Sequence, residues 1–290
     1  MLTKVAGVVD TLMPKSQVNG YTFDTYPISP GNFDPSTAST ADLALYGIPS
    51  FDATPPALVK RWKSRMVSPF QVVQPSFSQF QSAGVIWSGG IMAPRGERVT
   101  WVEGTWTIPT AALPAGAQSG RFYKASIWTR IDGHLTKPVF QAGCLLNVAP
   151  DAIVDVIPFF EWYPDPTIKI GNVPLSIGDE LSLFMRALSM TSGVVLFCNV
   201  TQQVLAIFSV AASSPTAVLQ LYGASAEWIV ESGQIDAQFS PVDFTDCNAG
   251  DDSGSLQGTG SSWLLANTNP NVDAQDIDST TLRVTHSYNR

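Results

Sequence analysis

Val99-Thr100-Trp101-Val102-Glu103-Gly104-Thr105-Trp106-Thr107-Ile108 is the stretch that decides the fold class. Val99, Trp101, Glu103, Thr105 and Thr107 alternate with Thr100, Val102, Gly104, Trp106 and Ile108, and both sets are rich in β-branched and aromatic side chains. A period of two sends successive side chains to opposite faces of a strand. The same pattern continues away from this run. Leu181, Leu183 and Met185 alternate with Ser182, Phe184 and Arg186, while Val194 to Val200 and Val204 to Val210 flank the polar turn Thr201-Gln202-Gln203 and read as a hairpin. Pro, Gly and Asp clusters separate the runs, so residues 79–290 are expected to form an all-β antiparallel sandwich. Ala249 through Ser262 reads as a flexible loop.

Residues 1–78 follow a different pattern and are expected to be an N-terminal extension, either a propeptide or a strap. Residues 1–38 are rich in Pro, Gly, Ser, Thr and Asn and read as extended or irregular chain. One or two short helices follow. Thr40 is placed to cap Ala41–Tyr46, and Thr54 to cap a helix opened by Pro55-Pro56 and running to Met66. Leu58, Trp62 and Met66 would form its docking stripe.

Composition excludes several classes of function. The chain has 290 residues, 44% hydrophobic and 14% charged, with a net charge of −8. Residues 1–80 carry six Lys/Arg and five Asp/Glu, so the remaining residues hold ten and nineteen and account for nearly all of the net charge. An acidic body repels phosphate backbones, so no nucleic-acid partner is expected. No apolar run of about 18 residues exists, so no membrane span is expected either. Cys144, Cys198 and Cys247 form no CxxC and no disulfide framework. With only His134 and His286, and no HExxH, no metal or other cofactor is expected. Gly223-Ala224-Ser225-Ala226-Glu227 lacks the last glycine of a serine-hydrolase elbow, and Asp252-Ser253-Gly254 is one aspartic-peptidase-like tripeptide where two are needed. What remains is carboxylate and amide chemistry on a tryptophan-rich β-protein.

Six segments, in order, carry a family resemblance: Trp87-Ser88-Gly89-Gly90, Val99 through Pro109, Ile127-Trp128-Thr129-Arg130-Ile131-Asp132-Gly133, Val139-Phe140-Gln141-Ala142-Gly143, Phe160-Glu161-Trp162-Tyr163-Pro164 and Ala226-Glu227-Trp228-Ile229-Val230-Glu231. Together they resemble the glutamic peptidases, or eqolisins, across roughly residues 84–285. Residues 38–66 also resemble a short leader of bacterial members. The resemblance implies a sandwich of two large sheets, of concanavalin-like or jelly-roll type, acting as a metal-independent acid endopeptidase on polypeptides. It implies Gln141 and Glu231 as the catalytic pair, with Trp87, Trp128, Asp132, Glu161 and Glu227 binding substrate or orienting the pair. It also implies secretion, although the N-terminus lacks a recognisable signal peptide. Two positions depart from the family pattern. Arg130 stands where the family has glycine, and Leu145 where it has aspartate; both bear on pH optimum and substrate preference.

Elementary chemistry fits such a pair. A glutamate carboxylate can take a proton from water and return it to the departing amine. A glutamine amide donates through nitrogen and accepts through oxygen, so it can hold the water and stabilise the oxyanion. Strand parity puts Glu227, Ile229 and Glu231 on one face, and Val139, Gln141 and Gly143 on another shared face. The small residues beside Gln141 are expected to let a substrate backbone approach closely. Two other readings stay open: a glycoside hydrolase using Glu161 and Glu231, and an inactive sandwich with a binding or structural role.

Overall fold

The computed structural model describes residues 15–18, 20–30, 33–35, 37–48, 70–80, 86–94, 96, 98–213, 219–232, 236–251, 256–257 and 264–287. Along Trp101–Thr107 the alternation is realised as expected. Val102 and Trp106 point into the main core, while Trp101 joins a separate cluster on the other face of its sheet. This strand lies near the middle of an eleven-stranded sheet. Its main path runs Lys15–Val18, Tyr21–Thr25, Val204–Ala211, Ser192–Asn199, Glu180–Ser189, Trp101–Thr107, Val242–Gly250, Thr281–His286, Val272–Asp278. A second sheet has eight strands, in the order Leu264–Asn267, Ile86–Met92, Ala226–Ser232, Tyr123–Ile131, Val139–Val148, Val154–Tyr163, Ile168–Gly171, Ser76–Gln79.

The two sheets share one core. Ile127, Phe140, Ala142, Cys144, Phe160 and Trp228 from the smaller sheet meet Val102, Leu183, Phe197 and Phe208 from the larger. Residues on the smaller sheet with the opposite parity, among them Trp128, Leu145, Phe159 and Ile229, form a separate cluster on its outer face. That outer face carries the site described below. The expected hairpin runs Ser192–Asn199 to Val204–Ala211. Asn199, the first residue of an Asn-Val-Thr sequon, is fully buried and donates to Pro174 O and Asp179 Oδ2, so it is a turn residue. All three cysteines are free thiols. No described helix is long and apolar enough to cross a membrane. Within the stretch read as a flexible loop, Leu256–Gln257 pairs with the end of Val242–Gly250; residues 252–255 and 258–263 lie outside the described residues.

The extended N-terminal chain is hydrogen-bonded into the sandwich. Tyr21–Thr25 pairs antiparallel with Val204–Ala211, and Gln71–Val73 runs parallel beside that same strand. Ser76–Gln79 pairs with Ile168–Gly171 at the edge of the other sheet. The cause is a short alternation in which Tyr21 and Phe23 face inward. Both are fully buried, and Phe23 stacks on Phe77 at 3.9 Å and meets Phe160 edge-on at 5.9 Å. Fully burying side chains of this size contributes roughly 2–3 kcal/mol each. The Tyr21 hydroxyl donates to Trp162 O at 3.0 Å, one residue beyond Glu161.

The first expected helix is present as Thr40–Leu45, but its cap is Ser39 rather than Thr40. Ser39 Oγ accepts the Asp42 N–H and donates to Asp42 Oδ2, a reciprocal arrangement that only Ser39 can make with an acid three residues on. Leu43 and Ile48 pack on the outer side of the larger sheet against Trp101, Phe184 and Leu196. The second expected helix, residues 55–66, lies outside the described residues.

Candidate active site

Strand register assembles the site. Gln141 lies directly across from Arg130 on one side and Glu161 on the other. Arg130 in turn lies across from Glu227. Two residues along, Ile229, Trp128, Gly143 and Phe159 form the next row, and beyond it come Trp87, Glu231, Ser126, Leu145 and Ile157. Because register partners share a face, Gln141, Glu161, Glu227 and Glu231 all project from the outer face of the smaller sheet. Gln141 and Glu231 are set diagonally, with the Tyr123–Ile131 strand and its Trp128 between them.

Hydrogen bonds fix each functional group. Gln141 Nε2 donates to Glu161 Oε2 at 2.5 Å. One oxygen of a carboxyl group accepts in either protonation state, and here it takes the amide nitrogen of Gln141. This leaves Gln141 Oε1 and one N–H for something else. Gln141 is 7% exposed, and its Oε1 is buried without a partner among the described residues. Glu231 Oε2 accepts from Trp128 Nε1 at 2.9 Å. Burial raises the Glu231 pKa above its ordinary 4.5, opposed by the Trp128 donor and by the Arg130 cation. Burial pushes Glu161 further, to about 7; the Gln141 and Thr167 donors oppose the rise and the Glu231 charge adds to it.

The remaining expected site residues fall into two groups. Trp87 and Trp128 stand on the same face as the pair, Trp87 half-buried and Trp128 buried, and both rings face the Arg130 guanidinium, at 5.7 and 4.5 Å. Glu227 is fully buried and receives Arg130 Nη2 at 2.5 Å and the Ser225 hydroxyl at 2.9 Å. Asp132 is turned elsewhere. Its carboxylate accepts the backbone N–H groups of Tyr222, Gly223 and Ala224 at 2.6, 2.9 and 2.6 Å, and so ties a loop to the end of the Trp128 strand.

Gly143 does not open the surface to an incoming chain, as the sequence suggested. A Cβ there would sit 2.0 Å from Ile127 O and 2.7 Å from Trp128 Cα, so the glycine admits the neighbouring strand. Leu145, at the aspartate position, packs with Trp128, Phe159 and Ile229 and makes the floor apolar, which strengthens the desolvation felt by the glutamates. Sequence reasoning did not count Arg130, Ser225 or Thr167 among the site residues. Arg130 was visible as a departure from the family pattern, but its partners depend on register.

The two packed sheets thus place an amide, three glutamates and an indole donor together on one outer face. The chain belongs to the Peptidase A4 family, whose model matches residues 85–288. It is 28% identical to scytalidopepsin B from Scytalidium lignicola over 205 residues, 65% of this chain and 71% of that protein. It is 26% identical to aspergillopepsin-2 from Aspergillus niger over 185 residues; this spans 56% of the chain but only 63% of that relative, less than two thirds of its length. Scytalido-glutamic peptidase, solved with a peptide-based transition-state analogue, superposes with a TM-score of 0.56 at 22% identity, covering 73% of this chain and all of that one. The fold is thus that of the glutamic peptidases.

Proposed function

We propose that this chain is a glutamic-type acid endopeptidase that hydrolyses polypeptides with Glu231 as general base and acid and Gln141 as the amide that holds the water and the oxyanion. The observation that carries this reading is the orphaned Gln141 Oε1, buried and on the same face as the indole-fixed carboxylate of Glu231. An unpartnered buried acceptor costs about 1–3 kcal/mol and calls for a donor such as water. In the reaction, the water oxygen bonds to the scissile carbonyl carbon as its proton passes to Glu231. The carbonyl oxygen becomes an oxyanion that accepts the free Gln141 N–H. When the C–N bond breaks, Glu231 returns the proton to the leaving amine. No covalent enzyme intermediate forms.

The pKa directions set the working range. Glu231 must be ionised to accept a proton, and its pKa lies above 4.5, so activity rises above that value. Glu161 stays protonated and neutral until about 7, after which a second negative charge would oppose the oxyanion. The profile of kcat/KM is therefore a bell with its maximum between those limits.

We assign residues 1–78 the role of a strap that stays with the sandwich domain, residues 79–290. The burial of Tyr21 and Phe23 within the shared core and the pairing of Ser76–Gln79 with the smaller sheet support this over a removable propeptide. A glycoside hydrolase using Glu161 and Glu231 is the competing reading; the family relationship favours peptide hydrolysis. The test is to incubate the purified chain with an unfolded protein across the acid to neutral range, with and without chelator and serine or cysteine reagents, and to read fragments by mass spectrometry. New internal fragments under all these treatments are expected. No cleavage at any pH, or cleavage stopped by chelator, would overturn the assignment.

A further inference from the structure

Ser225, Glu227, Arg130, Trp128 and Glu231 form an unbroken line of contacts across the outer face. The Ser225 hydroxyl donates to Glu227 Oε1 at 2.9 Å, and Arg130 Nη2 donates to Glu227 Oε2 at 2.5 Å. The guanidinium carbon lies 4.5 Å from the centre of the Trp128 ring, whose Nε1 donates to Glu231 Oε2. We propose that Arg130 is a positioning residue: its guanidinium, pinned by Glu227, holds the Trp128 indole at the angle from which it donates to Glu231. The role rests on the reading of Glu231 as the general base.

Several features fit a clamp rather than a spare charge. Both partners of the ion pair are nearly inaccessible, with side-chain exposures of 11% and 0%, so the pair has one geometry. Arg130 Nε is buried and has no hydrogen-bond partner among the described residues, as fits a planar cation that lies on aromatic faces rather than in a polar cage. Gly133 supplies the volume: with φ +120°, any Cβ there would sit 2.5 Å from the guanidinium carbon. The glycine that the family resemblance places at position 130 has no side chain to do this work.

Among the described residues, the charged groups facing Arg130 are Glu227 and Glu231 from Ala226–Ser232 and Glu161 from Val154–Tyr163; on its own strand end, Asp132 is bound to the 222–224 loop. The cation opposes the burial that pushes Glu231 and Glu161 toward their protonated forms. Loss of the clamp therefore has two expected signs: a looser indole, and a Glu231 that ionises at higher pH.

The experiment follows the Trp128 indole N–H resonance of the full-length, nitrogen-15-labelled chain through a pH titration, assigned with W128F, beside kcat and KM on an unfolded protein. In wild type the resonance follows Glu231 ionisation. R130M/E227Q, which leaves no unpaired buried charge, should move the titration midpoint upward and lower kcat about tenfold or more, as loss of a positioned donor does, with KM within about twofold. R130K keeps the charge and loses the flat face, and is expected to recover less than half of that kcat. A Trp128 titration in R130M/E227Q that superimposes on wild type overturns the proposal, and so does full recovery of kcat in R130K. Should the double variant fail to fold, R130K decides by its indole signal, which must differ from wild type. If the wild-type chain cleaves nothing, the peptidase reading fails while the indole titration still decides the clamp.

Discussion

Glu161→Gln should stabilise the protein at neutral pH while leaving it nearly unchanged in acid. Burial raises the Glu161 pKa from 4.5 to about 7, so between those values the folded state binds a proton that the unfolded state has released. Stability from this group is fully present below the unfolded value and is lost as pH rises through the folded one. At about 1.4 kcal/mol per unit, the loss amounts to about 3 kcal/mol by the time Glu161 is ionised. Glutamine stays neutral and its carbonyl can still accept from Gln141 Nε2, so the variant escapes the loss. The assay is urea unfolding of both proteins from about pH 4 to about pH 8, with the difference in unfolding free energy plotted against pH. That difference should grow by about 3 kcal/mol in favour of the variant, most steeply between the unfolded and folded pKa values and levelling off above about 7. A difference that stays flat across the range would refute the placement of a desolvated carboxyl beside Gln141.

Three further outcomes follow from the same geometry. Phe23→Ala should cost about 3–4 kcal/mol in denaturant unfolding, as a fully buried aromatic does, and a chain starting at residue 79 should lose its cooperative transition because Phe160 and Phe208 lose their cover. Asp132→Ala leaves three backbone donors without their acceptor and should cost at least about 3 kcal/mol, with a pH–rate profile of unchanged shape because Asp132 serves the 222–224 loop. The pH dependence of kcat/KM should be a bell rising above 4.5 and falling near 7, and Glu161→Gln should flatten its alkaline limb.

The sequence showed what is local and hid what depends on register. Alternation over Trp101–Thr107 and the hairpin around Thr201 were legible because a period of two is written in neighbouring residues. Parity likewise put Glu227 and Glu231 on one face. Tyr21 and Phe23 carry the same signal, alternating with Thr22 and Asp24, but their surroundings are so rich in turn-forming residues that the strand reads as plain extended chain. Pairings such as Arg130 with Glu227, or Gln141 with Glu161, join residues 97 and 20 positions apart, and nothing in composition fixes which rows of two strands meet. Asp132 shows the opposite limit. The family resemblance implied a place for it beside the pair, whereas its carboxylate, on a residue with a positive φ of 67°, accepts from a loop about 90 residues away.

The pairing of Gln141 and Glu231 on one water molecule is tested most directly by a double-mutant cycle on peptide cleavage: wild type, Q141A, E231Q and the combination, assayed on the same unfolded protein at the pH of maximal wild-type activity. If both groups act on that single water, each change alone removes most of the rate, and the combined variant is no slower than the worse single one. Losses that multiply in the combined variant, or a single variant that cleaves at the wild-type rate, would contradict it.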